Sequence, residues 1–230
     1  RSLEKRSIPI TEFPQHWTVQ LNDTHPAIAV AELMRLLIDQ YQIGWDKAWN
    51  ITTSSVAYTN HTLLPEALEK WDLGLFNDLL PRHLEIIYEI NWRFLQQLRL
   101  RYPGDDKILQ KLSIIDEEGS KSVRMAHLAT IGAHHINGVA ALHSDLIKRQ
   151  LLPEFAELWP EKFTNVTNGV TPRRWVALSN PSLSTLLEKE VGPDWITNME
   201  LLKKLEGKKD DTSFLQKFEE TKLNGKRKLA

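Results

Sequence analysis

The stretch at residues 21–26 (Leu-Asn-Asp-Thr-His-Pro) constrains the fold most, because it joins a strand directly to a helix. Residues 17–21 alternate large apolar and polar side chains, which is the period of a strand with one buried face. After Pro26, apolar residues recur at helical spacing, and proline suits a first helical turn. Open α/β sheets bind ligands outside the carboxyl ends of their strands. The junction therefore predicts an α/β protein with polar chemistry at this strand end.

Two interpretations of this junction remain open from its residues alone. In the first, Thr24 or Asp23 caps the following helix, as short polar side chains commonly do, and His25 is incidental. In the second, the consecutive amide, carboxylate, hydroxyl and imidazole form one wall of a ligand site. A cap at Thr24 is compatible with both interpretations.

Composition narrows the class of protein. The chain has 230 residues, 41% of them hydrophobic and 26% charged, which is ordinary for a soluble globular protein. A net charge of -1 gives no electrostatic reason to expect nucleic acid or an acidic membrane as partner. The sequence contains no cysteine, which excludes disulfides and thiolate chemistry and suits a cytosolic protein. No apolar run approaches the roughly 20 residues that span a bilayer.

Metal binding is the less favoured interpretation of the histidines at positions 134, 135 and 143. Their spacing matches no pair of ligands one helical turn apart, and the sequence contains no H-E-x-x-H motif. We therefore expect no metal site. The eight tryptophans are compatible with sugar-stacking surfaces, although large aromatic side chains more often fill a core.

Periodicity along the rest of the chain predicts a helix-rich α/β protein. A long amphipathic helix runs from Leu79 to Leu98 on the spacing of its apolar residues. The other predicted elements are short helices at 45–49, 63–71 and 107–112, strands at 51–58 and 163–167, a buried strand or helix at 123–131, and helices at 135–147, 171–175 and 180–192. The predicted organisation is an N-terminal arm (1–16), a main lobe (17–197) and a helical linker (198–230).

Polar clusters follow three of the predicted strands, at residues 22–25, 59–62 and 167–169. If these strands are parallel neighbours, the clusters face one crevice. The crevice contains few acids and several groups that both donate and accept, which suits sugar hydroxyls. A glycosidase-like pair of carboxylates, Asp23 and Glu69, is an alternative that the spacing does not establish. Arg173 and Arg174 are compatible with an anion site and equally with surface ion pairs.

Several long blocks of sequence resemble the glycogen/starch (α-glucan) phosphorylase family. They are QLNDTHP at 20–26, YTNHTLLPEALE at 58–69, LPRH at 80–83, MAHL at 125–128, NGVA at 137–140 and TNGVTPRRW at 167–175. The blocks stand in the family's order, and the likeness covers residues 17–205. Several long blocks in order are far more specific than a single short motif.

The resemblance implies phosphorolysis of α-1,4-glucan to glucose 1-phosphate by a glycosyltransferase that uses the phosphate group of pyridoxal phosphate. The implied fold has two Rossmann-like lobes of GT-B type, and this chain resembles the latter half of the N-terminal lobe. The implied substrates are glucan and phosphate. The family resemblance also implies an allosteric homodimer located in the cytoplasm, or in a plastid if the source is a plant.

The resemblance also assigns residues. His61 and Asn168 resemble the residues that hold the glucosyl unit at the cleavage point, with the His61 side chain at the sugar's 6-hydroxyl and its backbone carbonyl near a developing oxocarbenium ion. Trp175 resembles an aromatic residue of the cofactor pocket. The residues that resemble the lining of the adjacent pocket and glucan path are Asp23, His25, Thr62 and Glu69.

Three features of the family are missing from these 230 residues. They are the Gly- and Asn-rich motif with the cofactor lysine, the Lys/Arg group that binds substrate phosphate, and the glycine-rich loop of the early N-terminal lobe. The residues present are expected to orient sugar without holding the cofactor. We therefore expect a fragment that is inactive alone, with a stand-alone glucan-binding module as the alternative.

Overall fold

The computed structural model describes residues 6–230. The backbone forms two compact units, Arg1–Asn168 and Gly169–Ala230, and each is treated separately below. In the second unit, residues 169–197 pack with the helices that follow them, and the predicted boundary after residue 197 stays a prediction.

Seven short strands are present in the described part of the first unit, residues 6–168. In chain order they are β1 (Val19–Asn22), β2 (Val56–Thr59), β3 (Lys70–Asp72), β4 (Ile115–Asp116), β5 (Ser122–Arg124), β6 (Ile136–Gly138) and β7 (Phe163–Asn165). Four of them form a parallel sheet in the order β1-β2-β6-β7. The other three form a small antiparallel sheet in the order β3-β5-β4.

The parallel sheet has two chemically different edges. Because its four strands run in one direction, all their carboxyl ends meet at one edge, which we call the carboxyl edge. The opposite side, where the same strands begin, is called the amino edge. Both names are used for the four-stranded sheet only.

Helices surround the two sheets. Those of the first unit, after the single turn Phe13–His16, are α1 (Ala29–Arg35), α2 (Trp45–Ser55), α3 (Leu73–Leu79), α4 (Pro81–Arg101), α5 (Asp106–Leu112), α6 (Met125–Gly132), α7 (Ala141–Leu146) and α8 (Pro153–Leu158). Shorter 3₁₀ segments are Ile10–Glu12, Pro65–Ala67 and Pro160–Lys162, and π-helical segments are Leu36–Gln40 and Ile147–Leu151. The chain is therefore a helix-rich α/β protein with a parallel sheet, as the sequence predicts.

The long helix α4 confirms the prediction drawn from apolar spacing. Its buried residues recur every three or four positions and include Leu84, Ile87, Phe94 and Leu98. Each buried aliphatic or aromatic side chain of this kind stabilises the fold by about 1.5–3 kcal/mol. Phe94 also stacks on Phe155 of α8, with ring centroids 6.1 Å apart. This packing joins α4 to the core beneath the sheet.

Two elements of the structure differ from their predictions, because tertiary packing overrides local preference. Residues 135–147 were expected to be helical, and this prediction is wrong at its start, since Ile136–Gly138 is the strand β6 between β2 and β7. The three residues of β6, Ile-Asn-Gly, are too few to show the period of a strand. Residues 51–55, expected as strand, continue helix α2, where Ser55 donates to the Ile51 carbonyl at 2.7 Å. The strand begins only at Val56.

The predicted helix at 63–71 is also wrong. It consists of the 3₁₀ turn Pro65–Ala67 and the strand β3, which pairs with β5. The sequence permits either a strand or a helix at 123–131. The segment contains both, because β5 ends at Arg124 and α6 begins at Met125.

The second unit is helical throughout its regular elements. It contains the π-helical segment Arg173–Leu178, α9 (Pro181–Val191), the 3₁₀ segments Pro193–Ile196 and Met199–Lys208, and α10 (Thr212–Leu229). Its small core surrounds the fully buried Trp195. The predicted start of α9 is confirmed, since Asn180 caps it by accepting from the Leu183 amide at 3.2 Å. Among the helices of residues 6–230, none has the length and apolar character needed to cross a bilayer.

Candidate functional site

The first two polar clusters meet at the carboxyl edge, as the sequence predicts. Because β1 and β2 are parallel neighbours, the loops that leave them lie side by side. The Asp23 amide donates to the Thr59 carbonyl at 2.9 Å, and the His61 amide donates to Asp23 Oδ1 at 2.9 Å. The loop after one strand is thus held by the loop after the other.

Asp23 is a buried positioning residue in this arrangement. Its φ of +62° lies in the left-handed region, where aspartate is tolerated better than most residues. It is only 6% exposed, and Oδ1 accepts from the His61 backbone. The carboxylate therefore fixes the path of the chain at His61. Its predicted contact with substrate stays a prediction.

Thr24 does not cap the helix, so the capping interpretation is wrong. Helix α1 begins after Ile28, which makes no side-chain cap, because a turn closed by the Ala27 amide on the Thr24 carbonyl intervenes. The fully buried Thr24 hydroxyl donates instead to Glu69 Oε2 at 2.8 Å, and Asp23 Oδ2 lies 3.4 Å from it. The two carboxylates of the glycosidase alternative thus flank one hydroxyl.

The His61 imidazole lies at the exposed side of this junction. Its Nε2 is 2.6 Å from Asn22 Oδ1. An amide oxygen only accepts, so Nε2 donates, and in the neutral ring Nδ1 is then an acceptor. An exposed, oriented acceptor of this kind suits a ligand hydroxyl. The role of His61 in binding a substrate stays a prediction.

A chain of side-chain hydrogen bonds crosses three strands at the same edge. Gln20 donates to the Thr59 hydroxyl at 2.9 Å, which donates to Asn137 Oδ1 at 2.8 Å, and Asn137 donates to the Gly138 carbonyl at 2.9 Å. In the sequence, Asn137 is noted only as part of the block NGVA. The structure shows that it belongs to the strand β6.

The third polar cluster lies along the loop that follows β6. The Asn168 amide donates to the Val139 carbonyl at 3.0 Å, and the Val166 amide donates to the Gly138 carbonyl at 3.2 Å. Gly138 is needed where these segments meet, because a Cβ there would lie 2.8 Å from the Ser144 backbone. The loops after β6 and β7 are therefore closely packed.

His143 is a functional candidate that the sequence analysis considered only as a metal ligand. Its Nδ1 accepts from the Val139 amide at 3.0 Å, so Nε2 holds the proton in the neutral ring. That nitrogen is buried and has no hydrogen-bond partner among the described residues. Burial lowers the pKa of His143, and the nearby His61 lowers it further, against an opposing effect of Asp23. His143 is thus a neutral donor beside the loop of Asn168.

Asn60 faces the interior. It is fully buried, and its Nδ2 donates to the Tyr58 hydroxyl at 3.1 Å. Burial raises the pKa of Tyr58, which keeps the phenol protonated. The Asn60 Oδ1 is buried without a partner among the described residues. Its role is therefore to support the strand end.

Three further residues that the sequence predicts for the site are His25, Thr62 and Trp175. His25 is exposed, and the half-buried Thr62 accepts from the Leu64 amide at 3.1 Å. Trp175 belongs to the second unit, where its indole is 65% exposed. The substrate and cofactor roles of these residues stay predictions.

The described residues do not fit a pyridoxal cofactor. A lysine that forms a Schiff base is typically desolvated, which lowers its pKa. Burial lowers the pKa of Lys162, but Lys162 lies at the amino edge, before β7. No step of the chemistry is therefore assigned to this group here. Within residues 6–230 no cluster of three or more His, Asp or Glu is arranged to hold a metal ion.

Comparison with known proteins shows the family of this chain. A family model described as "Carbohydrate phosphorylase" matches residues 1–230. The chain is 60% identical to a glycogen phosphorylase of Synechocystis over 221 residues, which is 96% of this chain and 26% of that protein. It is 49% identical over 230 residues to a glycogen phosphorylase of Chlamydia trachomatis, covering 100% and 28%. It is 47% identical over 218 residues to the human muscle form, covering 95% and 26%.

This chain, with its helix-rich α/β fold, therefore belongs to the carbohydrate phosphorylase family. The chain spans about a quarter of the length of the curated relatives it matches.

Proposed function

We propose that this chain forms the glucosyl-binding part of an α-glucan phosphorylase, which releases glucose 1-phosphate from α-1,4-glucan. The observation that supports this most is the geometry of His61. Its ring is oriented by Asn22 and its backbone amide by the buried Asp23. A site prepared in this way needs little rearrangement when charge develops in the substrate.

In this proposal His61 acts on the sugar in two ways. Its Nδ1 accepts a hydrogen bond from the 6-hydroxyl, because Nε2 is already used toward Asn22. Its backbone carbonyl presents a negative dipole to the developing oxocarbenium ion. Asn168 both donates to and accepts from the same glucosyl unit. His143 supports the neighbouring Val139, whose carbonyl holds the Asn168 amide.

The adjacent glucan path is proposed to include His25, Thr62 and Glu69. Asp23 is assigned to the same region, acting mainly through its bond to His61. The proposed whole is a two-lobed GT-B enzyme with pyridoxal phosphate as cofactor and phosphate as second substrate. Trp175 is its candidate at the cofactor pocket. A homodimer in the cytoplasm or a plastid completes the proposal.

A chimera tests the proposal directly. This chain replaces the matching segment of the Synechocystis glycogen phosphorylase, and glucose 1-phosphate formation from α-glucan and phosphate is measured. We expect activity in the chimera and its loss in the His61→Ala and Asn168→Ala variants. A correctly folded chimera without activity, or one whose activity survives both substitutions, would contradict the proposal.

The isolated chain distinguishes phosphorylase chemistry from a glucan-binding module. We expect no glucose 1-phosphate above background from the 230 residues alone, because the described residues do not fit the cofactor. Activity in that assay would overturn this expectation. Glucan affinity in the isolated chain, lost in His61→Ala, together with an inactive chimera would favour the binding module.

A further inference from the structure

The Thr24 hydroxyl is buried between two carboxylates at the carboxyl edge of the parallel sheet. Thr24 is fully buried, and its Oγ1 lies 2.8 Å from Glu69 Oε2 and 3.4 Å from Asp23 Oδ2. A hydroxyl group has a single hydrogen to donate. The shorter distance gives that hydrogen to Glu69, so Thr24 holds one of the two carboxylates and not both.

The backbone on both sides of this hydrogen bond is also held in place. The Thr24 carbonyl accepts from the Ala27 amide at 2.9 Å, which closes the turn before α1. The Glu69 carbonyl accepts from the Met125 amide at 3.1 Å, where β5 is followed by α6. The two side chains, 45 positions apart in the chain, thus meet between two fixed segments of backbone. The Glu69 carboxylate is oriented before any ligand is present.

Only one oxygen of the Glu69 carboxylate is used by this contact. Oε2 accepts from Thr24, whereas Oε1 forms no hydrogen bond with any of residues 6–230. Glu69 is half-buried, and Oε1 is not one of the buried polar atoms that lack a partner, so this oxygen is accessible to solvent. A carboxylate oxygen is a strong acceptor, and each sugar hydroxyl has a hydrogen to donate. The contact therefore leaves one oriented acceptor open to a ligand.

We propose that Thr24 is a positioning residue that directs the open oxygen of Glu69 toward a hydroxyl group of the glucan. This inference rests on the proposed function, which assigns Glu69 to the glucan path. A carboxylate already held at one oxygen loses less side-chain freedom when the other oxygen accepts a hydrogen bond, so binding costs less ordering. Thr24 itself touches no substrate, because it is fully buried. A contact that is equally strong before and during the reaction lowers KM for glucan and leaves kcat unchanged.

Two substitutions of Thr24 test this role in the chimera with the Synechocystis phosphorylase. Thr24→Val keeps the branched shape of the side chain and removes its hydroxyl. We expect it to raise KM for α-glucan about tenfold, the usual effect of losing a hydrogen bond to a charged group, with kcat and KM for phosphate changed less than about twofold. Thr24→Ser keeps the hydroxyl, so its KM for glucan should stay within about threefold of the parent chimera.

The matched control is Thr130→Val. Thr130 is also fully buried, and its hydroxyl donates within α6, to the Ala126 carbonyl at 2.7 Å. The same hydroxyl is thus removed from a buried threonine that does not contact Glu69. We expect KM for glucan to be unchanged in this variant, and urea denaturation compares the stability of all the variants.

A double-mutant cycle shows whether Thr24 acts through Glu69. In a Glu69→Ala chimera, Thr24→Val should not raise KM for glucan any further, because the oxygen that Thr24 orients is gone. If the valine variant does not fold, Thr24→Ala takes its place in the cycle, since it also lacks the hydroxyl.

Three results in an active chimera would overturn this inference alone. They are an unchanged KM for glucan in the hydroxyl-free variant, a serine variant as impaired as the valine variant, and an equal increase of KM in the Glu69→Ala background. A folded chimera without activity would contradict the proposed function and this inference together, so the two failures are distinguishable.

Discussion

The two edges of the parallel sheet differ in the partners that their polar side chains have. At the carboxyl edge, Asp23, Thr24 and His61 are each held by a partner on a neighbouring loop. At the amino edge, Lys162 lies over the ring of Trp159, and the only carboxylate that acts on its charge among the described residues is that of the adjacent Glu161. The comparison distinguishes side chains that are fixed by partners on neighbouring loops from a lysine that packs on an indole ring.

The largest expected effect is on catalysis at the carboxyl edge. In the phosphorylase chimera, His61→Ala should lower kcat by about 10²–10³-fold, the usual loss when one preorganised electrostatic contact is removed. Lys162→Gln in the same chimera should change kcat by less than about twofold. Steady-state rates of glucose 1-phosphate formation check both. Equal losses in the two variants would erase the distinction between the edges.

A backbone contact at the carboxyl edge gives the largest expected effect on stability. Gly138→Ala places a Cβ 2.8 Å from the Ser144 backbone, so the loop must move. We expect the free energy of unfolding to fall by about 2–3 kcal/mol in urea denaturation. Gly44→Ala is the matched control, since a Cβ there meets no atom within 4 Å. If both variants unfold alike, the packing described at Gly138 is incorrect.

Removing the Asp23 carboxylate should have the next largest effect. Asp23→Ala leaves the His61 amide without its acceptor and places alanine at a φ of +62°, so we expect a loss of about 2 kcal/mol. Asp23→Asn keeps an acceptor and tolerates the left-handed backbone, so its loss should stay below about 1 kcal/mol. Thermal unfolding compares the two, and an asparagine variant as unstable as the alanine variant would argue for a role of the charge itself.

At the amino edge we expect a substitution to raise the free energy of unfolding rather than lower it, by a smaller amount. Burial lowers the pKa of Lys162 from 10.5 to about 8, so holding it charged in the folded state at neutral pH opposes folding. We expect Lys162→Gln to raise the free energy of unfolding at pH 7 by about 1–2 kcal/mol. Between pH 8 and 10.5 the unfolded chain binds the extra proton, so the parent gains stability with rising pH.

The difference in unfolding free energy between Lys162→Gln and the parent should therefore shrink across that pH window. Denaturation curves of both chains at pH 7, 8.5 and 10 measure it. A constant difference would mean that Lys162 is not desolvated in the folded chain.

The sequence predicts which residues lie at the carboxyl edge better than it predicts the helices and strands around them. Helix α4 and the polar residues that follow β1 and β2 are predicted from periodicity, whereas the role of His61 rests on the family's sequence blocks and stays a prediction. Asn137 was missed as a site residue because β6 has only three residues, Ile-Asn-Gly, which are too few to show the period of a strand. His143 was missed because the burial of its Nε2 is visible only in the structure. Pairing with β2 and β7 decides the form of β6.

What the sequence determined by itself was the class of fold, the family and the side chains available for chemistry, because these depend on local pattern and on residue identity. Only the tertiary structure decided how those side chains are used. Thr24 was a plausible helix cap in the sequence, yet its hydroxyl donates to Glu69, 45 positions away. Lys162 contacts Trp159, only three positions earlier, but folding also places its amine 3.4 Å from the Thr130 carbonyl, 32 positions away. Contacts between residues distant in the chain set burial and partners, and these set the chemistry of each group.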